Sequence, residues 1–186
     1  GSVQAEGIDG GFAGVYKVFS ASEDAGRLRR GYFVEGLGAA QFATTGAIDR
    51  LRAVGSSETT GRARPPEALV LAATDPANPY GAALPWPDAG EHRPGRKAGA
   101  LVVMDAGELI VYLERGGRTA LTWSRDADAL QRAASTLADL VHAGRLSGLT
   151  VERVDGEQAL GSRAPFVAAL ERAGFHQVPQ GLRLRR

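Results

Sequence analysis

The order of apolar and polar positions breaks the chain into short segments that switch between two periods. Residues 14–20 (GVYKVFS) are apolar, β-branched and aromatic, residues 23–26 carry turn formers, and residues 30–34 (RGYFV) turn apolar again. That sequence of signals predicts a hairpin, with residues 41–43 as a third short strand. Thr45 offers an N-cap for a helix over about 46–54, with Ile48, Leu51 and Val54 on one face. Residues 55–66 (GSSETTGRARPP) read as a loop, and the continuous apolar run 68–73 (ALVLAA) reads as a fully buried strand. A proline-rich connection then covers residues 75–96, a length that in a compact domain marks a functional or disordered loop.

The middle of the chain is patterned more strongly. Residues 98–104, 108–114 and 119–123 are apolar runs separated by the tight turns DAG and RGGR, which predict an antiparallel meander. Ser124 can cap the next helix, Asp126 and Asp128 suit its positive end, and Gly144 stops it. Its apolar face is Leu130, Ala133, Ala134, Leu137, Leu140 and Val141. A strand over 149–154 and a turn at Asp155-Gly156 follow. A helix over about 163–173, burying Phe166, Val167 and Leu170, and a strand over 181–185 complete the series. Strands interrupted by isolated helices predict an α+β fold: a curved, mostly antiparallel sheet or partial β-barrel with two to three helices. The expected organisation is a flexible lead-in with a tag remnant over 1–10, then one module over 11–186.

Composition narrows the chemistry. At 186 residues, 44% hydrophobic, the chain suits one domain with a real core. The absence of cysteine excludes a disulfide framework, a thiolate zinc site and a cysteine nucleophile. No apolar run approaches the length of a membrane-spanning helix, and no signal peptide is visible, so an intracellular, cytoplasmic location is expected. The start at Gly1-Ser2 resembles a tag-cleavage scar and suggests a piece of a larger protein. Lys plus Arg is 22 against 21 for Asp plus Glu, a net charge of only +1, where a dedicated polyanion binder is usually more lopsided. Lys17 and Lys97 are the only lysines, so nearly all the positive charge is arginine. GC-rich codon usage produces that bias, and so does selection for bidentate phosphate contacts and base stacking.

Motifs for catalysis are scarce. No Gly-Lys-Ser/Thr phosphate loop exists, and Gly36-Leu37-Gly38 meets Gln41 where a dinucleotide fingerprint needs its third glycine, so close backbone packing explains those glycines better. His92, His142 and His176 stand far apart, without metal-ligand spacing; His142 suits the negative end of its helix. No catalytic residue and no metal site is expected. The arginines are more informative. Arg27, Arg29 and Arg30 cluster at the hairpin return; Arg93, Arg96 and Lys97 precede the meander, with Trp86 upstream; Arg183 and Arg185 lie in a terminal stretch without acids. Cations interleaved with aromatics suit a single-stranded nucleic-acid path, and the same residues read equally well as solvated partners of nearby acids.

Longer stretches carry a resemblance. Residues 31–43 (GYFVEGLGAAQFA) lead into 46–52 (GAIDRLR), 71–81 (LAATDPANPYG) into 84–87 (LPWP), and 96–103 (RKAGALVV) precedes 146–156 (LSGLTVERVDG). Together they resemble the extreme C-terminal part of the bacterial large helicase-related (Lhr) proteins, superfamily 2 DNA helicases. The resemblance implies a parent that is an ATP-dependent 3′-to-5′ DNA translocase acting in DNA repair. ATP and Mg would bind in motor domains elsewhere in that parent, with no cofactor in this fragment. It implies as partners single-stranded DNA or a DNA–RNA hybrid, other domains of the same helicase and further copies of it, no membrane, and a nucleoid-associated place in the cytoplasm. The family's C-terminal extension resembles winged-helix DNA glycosylases and ends in a β-rich module, and the sheet-rich pattern fits that β module rather than a winged helix. The expectation is a non-enzymatic accessory module contributing DNA binding and self-assembly. The alternative is a share in a glycosylase-like extension, with Glu35 or Asp75 as the acid, although residues 175–186 contain no acid at all.

Overall fold

The computed structural model describes residues 3, 6–38, 40–59 and 67–186. The chain gathers into two compact units, one comprising 1–65 and 79–85, the other 66–78 and 86–186.

The first unit runs α1 (Gly11–Asp24), β1 (Leu28–Gly31), β2 (Gln41–Thr44) and α2 (Thr45–Thr59). Helix α1 replaces the expected strand over 14–20. Phe12, Tyr16 and Phe19 recur at helical spacing, and their rings meet: Phe12 lies 5.6 Å from Tyr16, and Tyr16 and Phe19 lie 5.9 and 5.4 Å from Phe42 of β2. Packing of that aromatic stripe outweighs the strand preference of Val15, Tyr16, Val18 and Phe19. Strands β1 and β2 pair antiparallel, Leu28 opposite Thr44, so the hairpin lies later than the pattern indicated. Beyond Gly31 the chain leaves the ladder and winds around the Gln41 amide. Gln41 Oε1 accepts from the Phe33 and Val34 amides at 3.1 and 2.8 Å, and Nε2 donates to the Val34 and Gly38 carbonyls at 2.8 and 2.6 Å. The Gly36 and Gly38 turns, both at φ 79°, serve this wrap. Thr44 rather than Thr45 caps α2, its hydroxyl accepting from the Ala47 amide at 3.3 Å. The helix continues past Val54 to Thr59, so the expected loop is helical over 55–59, and its remainder, 60–66, lies outside the described residues.

The second unit holds β3 (Leu69–Ala72), β4 (Leu101–Asp105), β5 (Glu108–Leu113), β6 (Thr119–Thr122), α3 (Ala127–His142), β7 (Gly148–Val151), β8 (Arg153–Val154), β9 (Glu157–Gln158), α4 (Pro165–Arg172), β10 (His176–Val178) and β11 (Gly181–Arg185). One sheet has the order β3-β4-β5-β6-β8-β9, antiparallel except for the β6–β8 pair; a second has the order β10-β11-β7. The α+β class is therefore found. The described residues contain four helices rather than two or three, and no sheet closes into a barrel. The larger one ends in open edges at β3 and β9. Being an edge strand, β3 is not fully buried, and Leu69 stands 55% exposed.

Helix α3 organises this unit. Asp126, not Ser124, caps it, accepting from the Asp128 and Ala129 amides, while Ser124 Oγ accepts from the Asp126 amide. Its apolar face packs on β3, β4, β5, β11 and α4. The core joins Leu130, Ala134, Leu137 and Val141 to Val103, Val111, Leu113, Phe166, Leu170 and Leu182. The strand expected over 149–154 divides at Glu152, so that β7 enters the small sheet and β8 the large one. There the Glu152 and Arg153 amides both donate to the Arg118 carbonyl, at 2.7 and 3.0 Å. Gly181, at φ 148°, is required where β11 meets β7: a Cβ there would overlap the Val151 carbonyl oxygen.

Candidate functional site

The expected nucleic-acid residues distribute over both units. Arg27, Arg29 and Arg30 belong to the first unit, where Glu23, Gly26, Leu28, Arg29 and Arg30 line an open groove of about 290 Å³. Arg30 is committed within the fold. Its Nε and Nη2 donate to Glu23 Oε2 at 3.0 and 2.7 Å, and its guanidinium lies 5.5 and 5.1 Å from the Tyr16 and Phe42 ring centroids. The Glu23 hydrogen bond pushes the Arg30 pKa further up, against a smaller opposing effect of desolvation. Glu23 thus ends α1 and holds the β1 arginine rather than occupying a solvated hairpin turn. Arg27 and Arg29 are exposed on the same short segment and have no carboxylate partner among the described residues.

In the second unit Arg96 is likewise structural. Its guanidinium donates to the carbonyls of Asn78 at 2.6 Å, Thr74 at 3.1 Å and Asp75 at 3.0 Å. Buried Asn78 donates to the Ala73 carbonyl at 2.9 Å, and Asp75 Oδ1 accepts from the Ala77 amide at 2.8 Å. Trp86 packs edge-on against buried Tyr112, 5.4 Å between centroids. The Tyr112 hydroxyl donates to the Gly95 carbonyl at 3.1 Å and accepts from the Gly95 amide at 3.3 Å. Burial raises the Tyr112 pKa, partly offset by the Gly95 hydrogen bond. The long connection is therefore ordered by polar groups spread along it, a pattern with no local periodicity to reveal it. Arg93 Nη1 donates to the Gly90 and His92 carbonyls at 3.0 and 3.1 Å, and Lys97 is exposed. Arg183 and Arg185 share the outer face of β11, alternating with buried Leu182 and Leu184, and Arg183 stands opposite His176 and Thr150.

The sequence did not single out a pocket of about 220 Å³ lined by Asp88, Ala89, His92, Leu121, Thr122, Trp123 and Asp155. Thr122 donates to the Asp155 carboxylate through both its amide and its hydroxyl, each at 2.7 Å, and Trp123 Nε1 donates to the Asp88 carbonyl at 2.7 Å. Neither carboxylate of the glycosylase alternative lines it: Glu35 is exposed in the first unit, and Asp75 is engaged in its own turn. Among the described residues no three His, Asp or Glu side chains gather as a metal cluster, and no helix is long and apolar enough to cross a membrane.

Comparison with known proteins agrees with the geometry of the first unit. The family described as "Large helicase-related protein, winged-helix domain" matches residues 1–63, and the α1–β1–β2–α2 order over that span is compatible with it. The sheet-rich pattern disfavoured a winged helix; the family match over 1–63 favours one for that span, where helix α1 stands in place of the strand expected over 14–20. The whole chain is 55% identical over 193 aligned positions to a protein of Mycolicibacterium smegmatis named Lhr helicase/probable uracil glycosylase, covering 13% of it. It is 39% identical over 183 positions, 97% of this chain, to the Lhr helicase/uracil glycosylase of Escherichia coli K12, covering 12% of that protein. The chain thus spans about one eighth of the length of these relatives. Identity at that level across both units places the chain in one lineage: it belongs to the large helicase-related (Lhr) family.

Proposed function

We propose that this chain is a non-motor accessory module from the C-terminal part of an ATP-dependent 3′-to-5′ DNA repair helicase, contributing nucleic-acid contacts and self-assembly. The observation that carries it is the pair Arg27 and Arg29, exposed beside the β1–β2 hairpin with no carboxylate partner among the described residues, while neighbouring Arg30 is held by Glu23. Exposed guanidinium groups make bidentate bonds to phosphate and release counterions on binding. The outer face of β11, with Arg183 and Arg185, and exposed Lys97 would extend the grip. Arg96 and Trp86, packed within the second unit, would support it indirectly, while Arg30 and Arg93 are exposed but already hydrogen-bonded, to Glu23 and to the Gly90 and His92 carbonyls. In this reading ATP and Mg act in motor domains elsewhere in the parent, and the partner is single-stranded DNA or a DNA–RNA hybrid. A net charge of +1 suits a secondary contact better than a primary one.

The test is fluorescence anisotropy with labelled single-stranded DNA at low and moderate salt. Binding is expected to weaken as salt rises. An Arg27→Ala/Arg29→Ala variant should lower the slope of log affinity against log salt by roughly 1–2, about 0.7 for each phosphate no longer neutralised. No binding at low salt would overturn the nucleic-acid role. A strictly monomeric mass by light scattering at high concentration would overturn self-assembly. A second reading, a share in glycosylase chemistry, rests on the uracil glycosylase names of both relatives. An intact uracil-containing oligonucleotide after incubation with the complete parent chain would remove it.

A further inference from the structure

We propose that the pocket between residues 88–92, the end of β6 and the β8–β9 turn, all within the second unit, receives one unstacked nucleobase of a bound single strand. The inference rests on the nucleic-acid reading above and goes beyond it by naming where a base, rather than a phosphate, is held.

The dimensions limit the ligand. A volume of about 220 Å³ falls below the roughly 300–1,000 Å³ of pockets that take drug-sized molecules, and it suits a single heterocycle. The walls are preorganised. The Trp123 indole is pinned through Nε1 to the Asp88 carbonyl, and buried Leu121 adds apolar surface. The Asp155 carboxylate is oriented by two 2.7 Å bonds from Thr122, which leaves each oxygen a further lone pair for an N–H on the ligand. His92 completes the lining; its Nε2 would lie 3.1 Å from a Cβ placed on Gly156, so the imidazole stands against the β8–β9 turn.

The arrangement of charge selects the class of ligand. On the wall the Asp155 carboxylate repels a phosphate and accepts from amino or imino N–H groups, while Asp88 lines the pocket with Oδ1 already accepting from the Gly90 amide at 3.0 Å. Around them in the chain are arginines. Arg93 follows His92, Arg125 lies two residues beyond Trp123, and Arg153 Nη1 donates to the Gly156 carbonyl at 3.3 Å. A neutral aromatic ring bearing N–H donors, flanked on both sides by anionic groups, satisfies both demands. A nucleotide within a single strand has that form, its base beside an aromatic side chain and its phosphates near guanidinium groups.

The experiment compares two oligonucleotides of equal length with the 186-residue chain: one carrying bases with a single central 2-aminopurine, and one built entirely of abasic residues. The base-bearing strand is expected to bind about tenfold more tightly, the scale of one base stacked on an aromatic side chain, with quenching of 2-aminopurine emission. His92→Ala and Asp155→Asn should each bring its affinity down toward that of the abasic strand and relieve the quenching. Asparagine tolerates the positive φ of 50° at position 155, so Asp155→Asn tests the carboxylate with the turn retained. Equal binding of both strands with unquenched 2-aminopurine would overturn the base pocket and leave the nucleic-acid role standing. Failure of both strands to bind at low salt would overturn both.

Discussion

Replacing Tyr112 by Phe tests whether the long connection over 75–96 is held by a few polar anchors. Tyr112 has no exposed surface, and its hydroxyl both donates to and accepts from the Gly95 backbone. Phenylalanine keeps the ring and its edge contact with Trp86 and removes only the oxygen. Each partly buried hydrogen bond contributes about 0.5–1.5 kcal/mol net, and the 3.3 Å bond from the amide is the weaker of the two. The expected loss is therefore about 1–2 kcal/mol. Urea unfolding followed by tryptophan fluorescence measures it directly, because Trp86 and Trp123 both lie in the second unit. Amide exchange at Gly95 should accelerate in parallel. The pH dependence has a definite sign. The folded pKa of Tyr112 is raised above its unfolded value near 10, so its contribution is fully present below pH ~10 and is lost as pH rises through the folded value. The gap between wild type and Tyr112→Phe should accordingly narrow at high pH. A loss under about 0.5 kcal/mol, with Gly95 exchange unchanged, would refute the anchoring argument.

Three further outcomes are expected. Arg132 Nε and Nη2 donate to Oδ2 of buried Asp105 at 3.1 and 2.6 Å, and Asp105 Oδ1 has no partner, so Arg132→Met leaves a buried carboxylate unpaired. It should lower the melting temperature more than Asp105→Leu/Arg132→Met does, and the reverse order would refute this account. Gly181→Ala, which drives a Cβ into the Val151 carbonyl, should cost about 3 kcal/mol or prevent folding of the second unit, as followed by urea unfolding. Asp126→Ala removes both cap bonds of α3 and should cost about 1 kcal/mol, with helix content by circular dichroism retained at low temperature.

Much of the second unit was legible because its segments obey local rules. The meander follows from apolar runs separated by tight turns, and Gly144 and Gly174 end α3 and α4, as glycine does where a helix must reverse. Helix α1 is not legible from its own residues: their β-branched and aromatic content favours a strand, their 12-16-19 spacing favours a helix, and contact with Phe42 decides between them. The arginine clusters were visible as charge. Their roles were not, since a guanidinium facing carbonyls, as Arg96 does, looks in sequence like one facing solvent, as Arg29 does.

By itself the sequence determined the α+β class, most element positions, the lack of a phosphate loop and, through its long motifs, the family. Those properties depend on residue order over a few turns or on extended identity, which no packing alters. Tertiary structure decided the division of the strand at Glu152 between two sheets, the open edges in place of a barrel, and the meeting of His92, Trp123 and Asp155 in one pocket. Such features join residues tens of positions apart. They exist only once the α3 face is buried against the sheets and Trp123 and Tyr112 hold Asp88 and Gly95 in place.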